Sequence, residues 1–286
     1  LPADKNNVGT LHPLTRITNE IEELFVSMGY DVVSGPEIEL DLYNFELLDW
    51  NYGILADESV LFIPEQHFEG KEQLRKIKFY GNTTVIGAKA FFGCKKLQKI
   101  ELPKKIEYIG NFTFEGCESL SEINLPDTIK TIGKSAFKDC KSLKKLTIPP
   151  LLPEIDEETF SDCTKLEKVD FGEAKITKIS ESAFEGCESL SEISLPDTIK
   201  TIGKSAFKNC KSLKNLTIPK SVKAIEEDAF SDCTKLKLEF KSNRREQVKK
   251  LLEKSGIKND QKIKFNGTYI TVKKFLEEPD NKEEPK

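Results

Sequence analysis

The sequence predicts an α/β solenoid: a curved rod of 23-residue repeats with short strands and short helical turns. A small α/β module precedes it and an α+β cap follows. Three observations predict this fold. Seven cysteines, at 94, 117, 140, 163, 187, 210 and 233, are separated by steps of 23, 23, 23, 24, 23 and 23 residues. A phenylalanine stands three residues before each cysteine, from Phe91 to Phe230, and a leucine three residues after each, from Leu97 to Leu236. One cysteine per period marks a repeat position rather than a disulfide pairing scheme.

The N-terminal module is expected to span residues 1–57. Over 11–28, Pro13 suits a first helical turn, Leu14, Ile17, Ile21, Leu24, Phe25 and Met28 form one apolar stripe, and Gly29 supplies a stop. A strand-like Tyr30–Val33 and a Ser34-Gly35-Pro36 turn follow. The repeats are expected over 58–240. Their first unit is degenerate, with Lys71 in the cysteine slot and His67 in an alanine column, as suits a capping turn whose outer face meets something other than another repeat.

Within each repeat an alternating pair, such as Ile100 with Leu102 or Ile123 with Leu125, reads as a short strand with one buried face. A proline commonly ends it, as at Pro103, Pro126 and Pro196. A second apolar pair follows, such as Ile106 with Ile109, and then a short helical or 3₁₀ turn leads to the next cysteine. No such unit can bury its own apolar edge. Stacked units can, giving continuous Phe, Cys, Leu and Ile ladders. At about 4.8 Å per coil the stack is roughly 40 Å long.

Residues 241–274 are expected to cap the stack. Arg245–Lys254 reads as a helix with Val248, Leu251 and Leu252 on one side, and Asn266-Gly267 is a two-residue hairpin signal. Residues 275–286 are charged, contain proline, and read as a disordered tail.

Composition narrows the function. Forty-four basic residues against 48 acidic give a net charge of −4, which argues against a general nucleic-acid or membrane-surface binder. No run of 18 apolar residues is present to span a membrane. There are two histidines, His12 and His67, far apart in sequence, and no arginine between 76 and 243. A conventional active site gripping phosphates or carboxylates is poorly supplied there. The cysteine spacing contains no C-x₂-C pair suited to zinc. Buried free thiols acting as small hydrophobes are expected, with no metal and no cofactor.

The repeat pattern Ile-x-x-Ile-Gly-x-x-Ala-Phe-x-x-Cys-x-x-Leu-x-x-Ile-x-Leu-Pro resembles the BspA-type leucine-rich repeat family over roughly residues 58–240. That resemblance implies a curved scaffold used for protein recognition, adhesion or surface display, without catalysis. Residues 114–149 and 184–219 are identical at 33 of 36 positions, which suggests duplication of a three-repeat block.

Upstream, His12-Pro13-Leu14-Thr15-Arg16, Glu20-Ile21-Glu22, Met28-Gly29-Tyr30, Gly35-Pro36-Glu37-Ile38-Glu39 and Tyr43-Asn44-Phe45-Glu46 resemble the alpha subunit of bacterial phenylalanyl-tRNA synthetases over about 48 residues. The resemblance implies the class II motif 1 region, an interface element, with Arg16, Glu20, Pro36 and Glu37 as candidate interface residues. The family's catalytic motifs lie downstream of it, where this chain carries repeats instead. Self-association or contact with a synthetase subunit through this module is the alternative to a non-catalytic recognition scaffold with a protein ligand. The synthetase resemblance leans toward a cytoplasmic setting, and the repeat resemblance toward the cell surface.

Two surfaces are candidate partner sites. Tyr80, Phe92, Tyr108 and Phe112 place aromatics where other repeats carry proline or polar residues. Extra aromatics at solvated positions either anchor a partner or receive the N-terminal module. A weaker candidate is the ribbon of outward strand positions: Lys99, Glu101, Glu122, Asn124, Lys145, Thr147, Lys168, Asp170, Glu192, Ser194, Asn215 and Thr217.

Overall fold

A computed structural model describes residues 52–55, 62–79 and 83–278. The N-terminal expectations for Arg16, Glu20, Pro36 and Glu37, the aromatic Tyr80 and the end of the tail lie outside the described residues.

The repeats form the expected solenoid, and each coil contributes two short strands rather than one. In the first, alternation sets the facing: Lys99 and Glu101 are exposed while Ile100 between them is buried. Strands Tyr52–Leu55, Lys76–Phe79, Lys99–Glu101 and Glu122–Ile123 pair in parallel, with Ile77, Ile100 and Ile123 in register. The ladder resumes from Lys145–Thr147 to Glu192–Ile193, and again from Asn215–Ile218 to Lys237–Phe240. Because Tyr52–Leu55 belongs to this sheet, the solenoid begins inside the stretch assigned from sequence to the N-terminal module.

The second sheet was not foreseen. Two-residue strands such as Val85–Ile86, Tyr108–Ile109 and Thr131–Ile132 stack in parallel, with Ile86, Ile109 and Ile132 in register. A second run extends from Glu154–Ile155 to Ala224–Ile225. Two residues are too few for alternation to announce a strand.

The segment expected to be a helical turn is a succession of tight turns. Its backbone N–H groups alternate between two acceptors. Cys94 N–H donates to Phe91 O at 3.2 Å within the coil, whereas Phe91 N–H donates to Thr113 O at 2.8 Å in the next coil. Sharing donors between coils prevents an intrahelical ladder. Two residues per coil adopt positive φ: the one two before the phenylalanine (Lys89, Phe112, Ser135, Glu158, Ser182, Ser205, Asp228) and the one before the cysteine (Gly93, Gly116, Asp139, Asp162, Gly186, Asn209, Asp232). The second column is filled by the residue types that tolerate this conformation best.

Inside, the columns form ladders. Phe68, Phe91, Phe114, Phe137, Phe160, Phe184, Phe207 and Phe230 stack with ring centroids 5.0–5.6 Å apart and planes within 16° of parallel. Each cysteine Sγ–H donates to the carbonyl of a phenylalanine in the preceding coil, for example Cys117 to Phe91 at 3.2 Å and Cys140 to Phe114 at 3.3 Å. All seven thiols are free and buried. Burial pushes the Cys94 thiol up to about 12 and raises those of Cys117, Cys140, Cys163, Cys187 and Cys210 as well. These side chains are packing elements with a weak donor each.

The C-terminal cap imitates a further coil. Asp228 N–H and Phe230 N–H donate to Lys254 O and Ser255 O, both at 2.8 Å, as earlier coils donate to their successors. Helix α1 (Arg245–Leu252) buries Val248, Leu251 and Leu252. Strand Lys262–Phe265 adds in parallel to Lys237–Phe240 and turns back through Asn266 and Gly267, both at positive φ, into antiparallel Thr268–Thr271. Helix α2 (Val272–Glu277) follows, with Phe275 fully buried. The Arg245 guanidinium lies 4.3 Å from the Phe275 ring centroid and donates to Glu278 at 2.7 Å. The residues just after 274 therefore close the cap rather than begin a disordered tail.

Candidate recognition surfaces

The first sheet places the ribbon on one face. Lys99, Glu101, Glu122, Asn124, Lys145, Thr147, Lys168, Asp170, Glu192, Ser194 and Asn215 are exposed and Thr217 is half-buried. Parallel register brings equivalent residues side by side, so Lys168 and Glu192 meet across coils at 3.3 Å, while Lys99 and Glu101 pair within one strand at 3.4 Å. Exposed pairs of this kind contribute about 0–1 kcal/mol each.

One part of the ribbon departs from the rest. Lys99, Glu101, Glu122 and Asn124 border a depression of about 400 Å³, together with Leu102, Lys104, Leu125 and Pro126. From the strand alternation Leu102 and Leu125 are expected inside. Both are half-exposed, whereas Ile148, Phe171, Leu195, Ile218 and Phe240 in the same column are buried. Here the first-sheet pairing also pauses, between Glu122–Ile123 and Lys145–Thr147. The depression has an apolar floor and mixed charges at its rim. No residue column marks it in the sequence, because Leu102 and Leu125 match the repeat consensus.

The aromatic set divides. Phe92 and Phe112 are half-buried and share one cation: Lys89 Nζ lies 5.6 Å from the Phe92 centroid and 5.9 Å from that of Phe112. Phe112 has φ 59°, a conformation rare for a bulky side chain. Tyr108 sits on the second sheet between Val85 and Thr131, is 40% exposed, and makes no ring contact with either phenylalanine among the described residues. Lys89 and neighbouring Glu115 belong to this cluster, yet both residue types are ordinary at their columns.

Among the described residues no group of three or more His, Cys, Asp or Glu side chains could hold a metal, and no helix is long and apolar enough to cross a membrane. His67 stands edge-on to Phe68 at 4.5 Å, with its pKa lowered by burial and by the Lys71 charge.

Known proteins resemble the two parts of the chain separately. Residues 1–75 match the class II core domain of phenylalanyl-tRNA synthetases. Over 49 residues, 17% of this chain, the sequence is 55% identical to the phenylalanine–tRNA ligase alpha subunit of Lysinibacillus sphaericus and 61% identical to that of Desulfosudis oleivorans. The match covers 14% and 15% of those proteins respectively, so the chain spans a small fraction of the curated relatives it resembles. Two crystal structures resemble the solenoid, each at 28% sequence identity. A leucine-rich repeat protein of T. pallidum has a TM-score of 0.53, over 57% of this chain and 78% of that one. Another, from Bacteroides ovatus, has a TM-score of 0.54, over 69% of this chain and 59% of that one. The BspA type leucine rich repeat region matches in six copies across residues 52–167, 110–237 and 154–275. With its ladders, two parallel sheets and fixed period, the chain belongs to the BspA-type leucine-rich repeat family.

Proposed function

We propose that the protein is a non-catalytic recognition scaffold that binds a protein ligand on its first-sheet face. The observation that carries this reading is the depression around half-exposed Leu102 and Leu125, at a column buried in every later coil. Hydrogen-bonded sheets on both sides of the core hold that surface in place before binding, which keeps the ordering cost low. An apolar anchor within a charged rim is the arrangement in which few residues carry most of the binding energy.

A second reading is favoured by the identity of the N-terminal 49 residues to synthetase alpha subunits. In it, Arg16, Glu20, Pro36 and Glu37 engage a synthetase subunit or a second copy of the chain, and the repeats are an appended module.

The test is capture of partners from lysate by the full chain and two full-length variants. Leu125→Arg fills the depression with charge; Arg16→Ala with Glu20→Ala alters the synthetase-like segment. The scaffold reading expects Leu125→Arg to lose the ligand and the N-terminal double variant to keep it. Loss of synthetase subunits with the N-terminal variant alone would overturn the first reading in favour of the second.

A further inference from the structure

We propose that Phe92, Phe112 and Glu115 form a binding site for an arginine side chain presented by a protein partner. The proposal rests on the protein-recognition reading and names the chemistry of one contact. Two places that the sequence makes nearly identical differ in what surrounds them.

Glu115 and Glu185 are equivalent positions of the duplicated block, each followed by Gly-Cys-Glu-Ser-Leu. The carboxylate of Glu185 is satisfied: it accepts from Ser182 Oγ at 2.7 Å and pairs with Lys208 Nζ at 3.0 Å. At Glu115 both partners are gone. The residue three positions earlier is Phe112, which has no side-chain donor. Lys138, the counterpart of Lys208, is turned to Glu158 at 3.0 Å, and Ser135 Oγ donates to the same carboxylate. Just beyond the second copy of the block, the position equivalent to Glu158 holds the shorter Asp228.

The Glu115 carboxylate therefore makes no hydrogen bond or ion pair among the described residues, although the residue is half-buried. Burial raises its pKa despite the more distant Lys138 and Lys89 charges. A carboxylate partly withdrawn from water with no direct partner loses hydration that no protein group replaces. An incoming cation would recover that cost.

The neighbouring side chains specify which cation. Phe92 occupies the column of Glu115 one coil earlier, and Phe112 lies in the same turn as Glu115. Lys89 already holds its ammonium near both ring faces, so this corner accepts positive charge. A compact ammonium still leaves the carboxylate unbonded. A guanidinium is planar and weakly hydrated, stacks on an aromatic face, and presents parallel N–H donors to a carboxylate at the same time. Lys89, on its flexible stem, is the group it displaces.

The test uses the full chain and N-acetyl-arginine-N-methylamide, observed by saturation-transfer NMR, with the matching lysine and citrulline compounds as controls. The arginine compound should receive a signal stronger than either control. Phe112→Ser recreates the Ser182 arrangement, and Glu115→Gln removes the charge. Each should reduce the arginine signal by roughly fivefold or more. Glu185→Gln, at the satisfied equivalent, should leave it unchanged, and Lys89→Ala should raise it. Unchanged melting curves show that the variants remain folded. Equal signals from all three compounds, or an equal loss in Glu185→Gln and Glu115→Gln, would overturn the proposal. Either result leaves the Leu125→Arg capture experiment to decide the scaffold reading on its own.

Discussion

Phe137→Ala perturbs the stack at its centre. The ring is fully buried, with centroids 5.2 Å from Phe114 and 5.5 Å from Phe160. Truncating a buried phenylalanine costs about 3–5 kcal/mol, and the value depends on how far the site can collapse. Collapse is opposed here. Phe114 N–H donates to Ala136 O at 2.8 Å and Phe137 N–H to Thr159 O at 2.9 Å, so the coils above and below are held at their spacing. The upper half of the range is expected, and for a unit of this size it lowers Tm by roughly 8–20 °C. Phe230→Ala provides the comparison. Among the described residues Phe230 stacks only on Phe207, at 5.6 Å, with the cap beyond it, and should cost about 1 kcal/mol less. Urea unfolding of both variants gives the two values. In a one-dimensional array an interior defect can also uncouple the flanks, which would appear as a reduced m-value for Phe137→Ala alone. A cost below about 1 kcal/mol, or one no larger than that of Phe230→Ala, would refute the rigid-stack argument.

Three further outcomes are expected. A thiol-specific colorimetric reagent at pH 8 should leave the seven cysteines of the native chain untouched and titrate all seven in denaturant, because burial hides them all and, at Cys94, Cys117, Cys140, Cys163, Cys187 and Cys210, also disfavours the thiolate; one rapidly reacting native thiol would contradict this. Gly256→Ala should detach the cap at a cost of about 2 kcal/mol, since Gly256 has φ +76° and a Cβ there would lie 2.9 Å from Asp228 Cα and Ser231 N; native-state hydrogen exchange in α1 would report it. His67 has a lowered native pKa, so the unfolded chain takes up the proton first and stability falls as pH drops below about 6.5. His67→Ala, which installs the residue of most other coils, should shrink the difference in urea midpoint between pH 7 and pH 5, and an undiminished difference would show that another group titrates.

The repeat was legible because its cause is one-dimensional. A side chain that must meet its own kind one coil later has to recur at a fixed interval, so Phe, Cys, Leu and Ile columns could be read directly. The left-handed position before each cysteine emerged from the structure, where only Gly, Asp and Asn occupy it. The second sheet was not legible. Its strands are two residues long, and their hydrogen bonds are made to other coils rather than announced by local alternation. The cap was readable in its helix and hairpin but not in its closure, because Phe275 packs against Arg245, 30 residues earlier, and against Phe265.

The candidate surfaces divide along the same line. The period, the buried columns and the positions of the unusual aromatics all follow from residue types at fixed offsets. The sequence made Leu102 and Leu125 look like every other strand leucine, and made Glu115 the twin of Glu185. That those leucines are half-exposed, and that one glutamate is satisfied while the other is not, emerges once the coils are stacked. The reason is physical: in a solenoid the surroundings of a side chain are supplied by the coils above and below. Two nearly identical segments therefore acquire different chemistry when the coil beyond carries Glu158 in one place and Asp228 in the other, and when Phe112 rather than a serine precedes in the same turn.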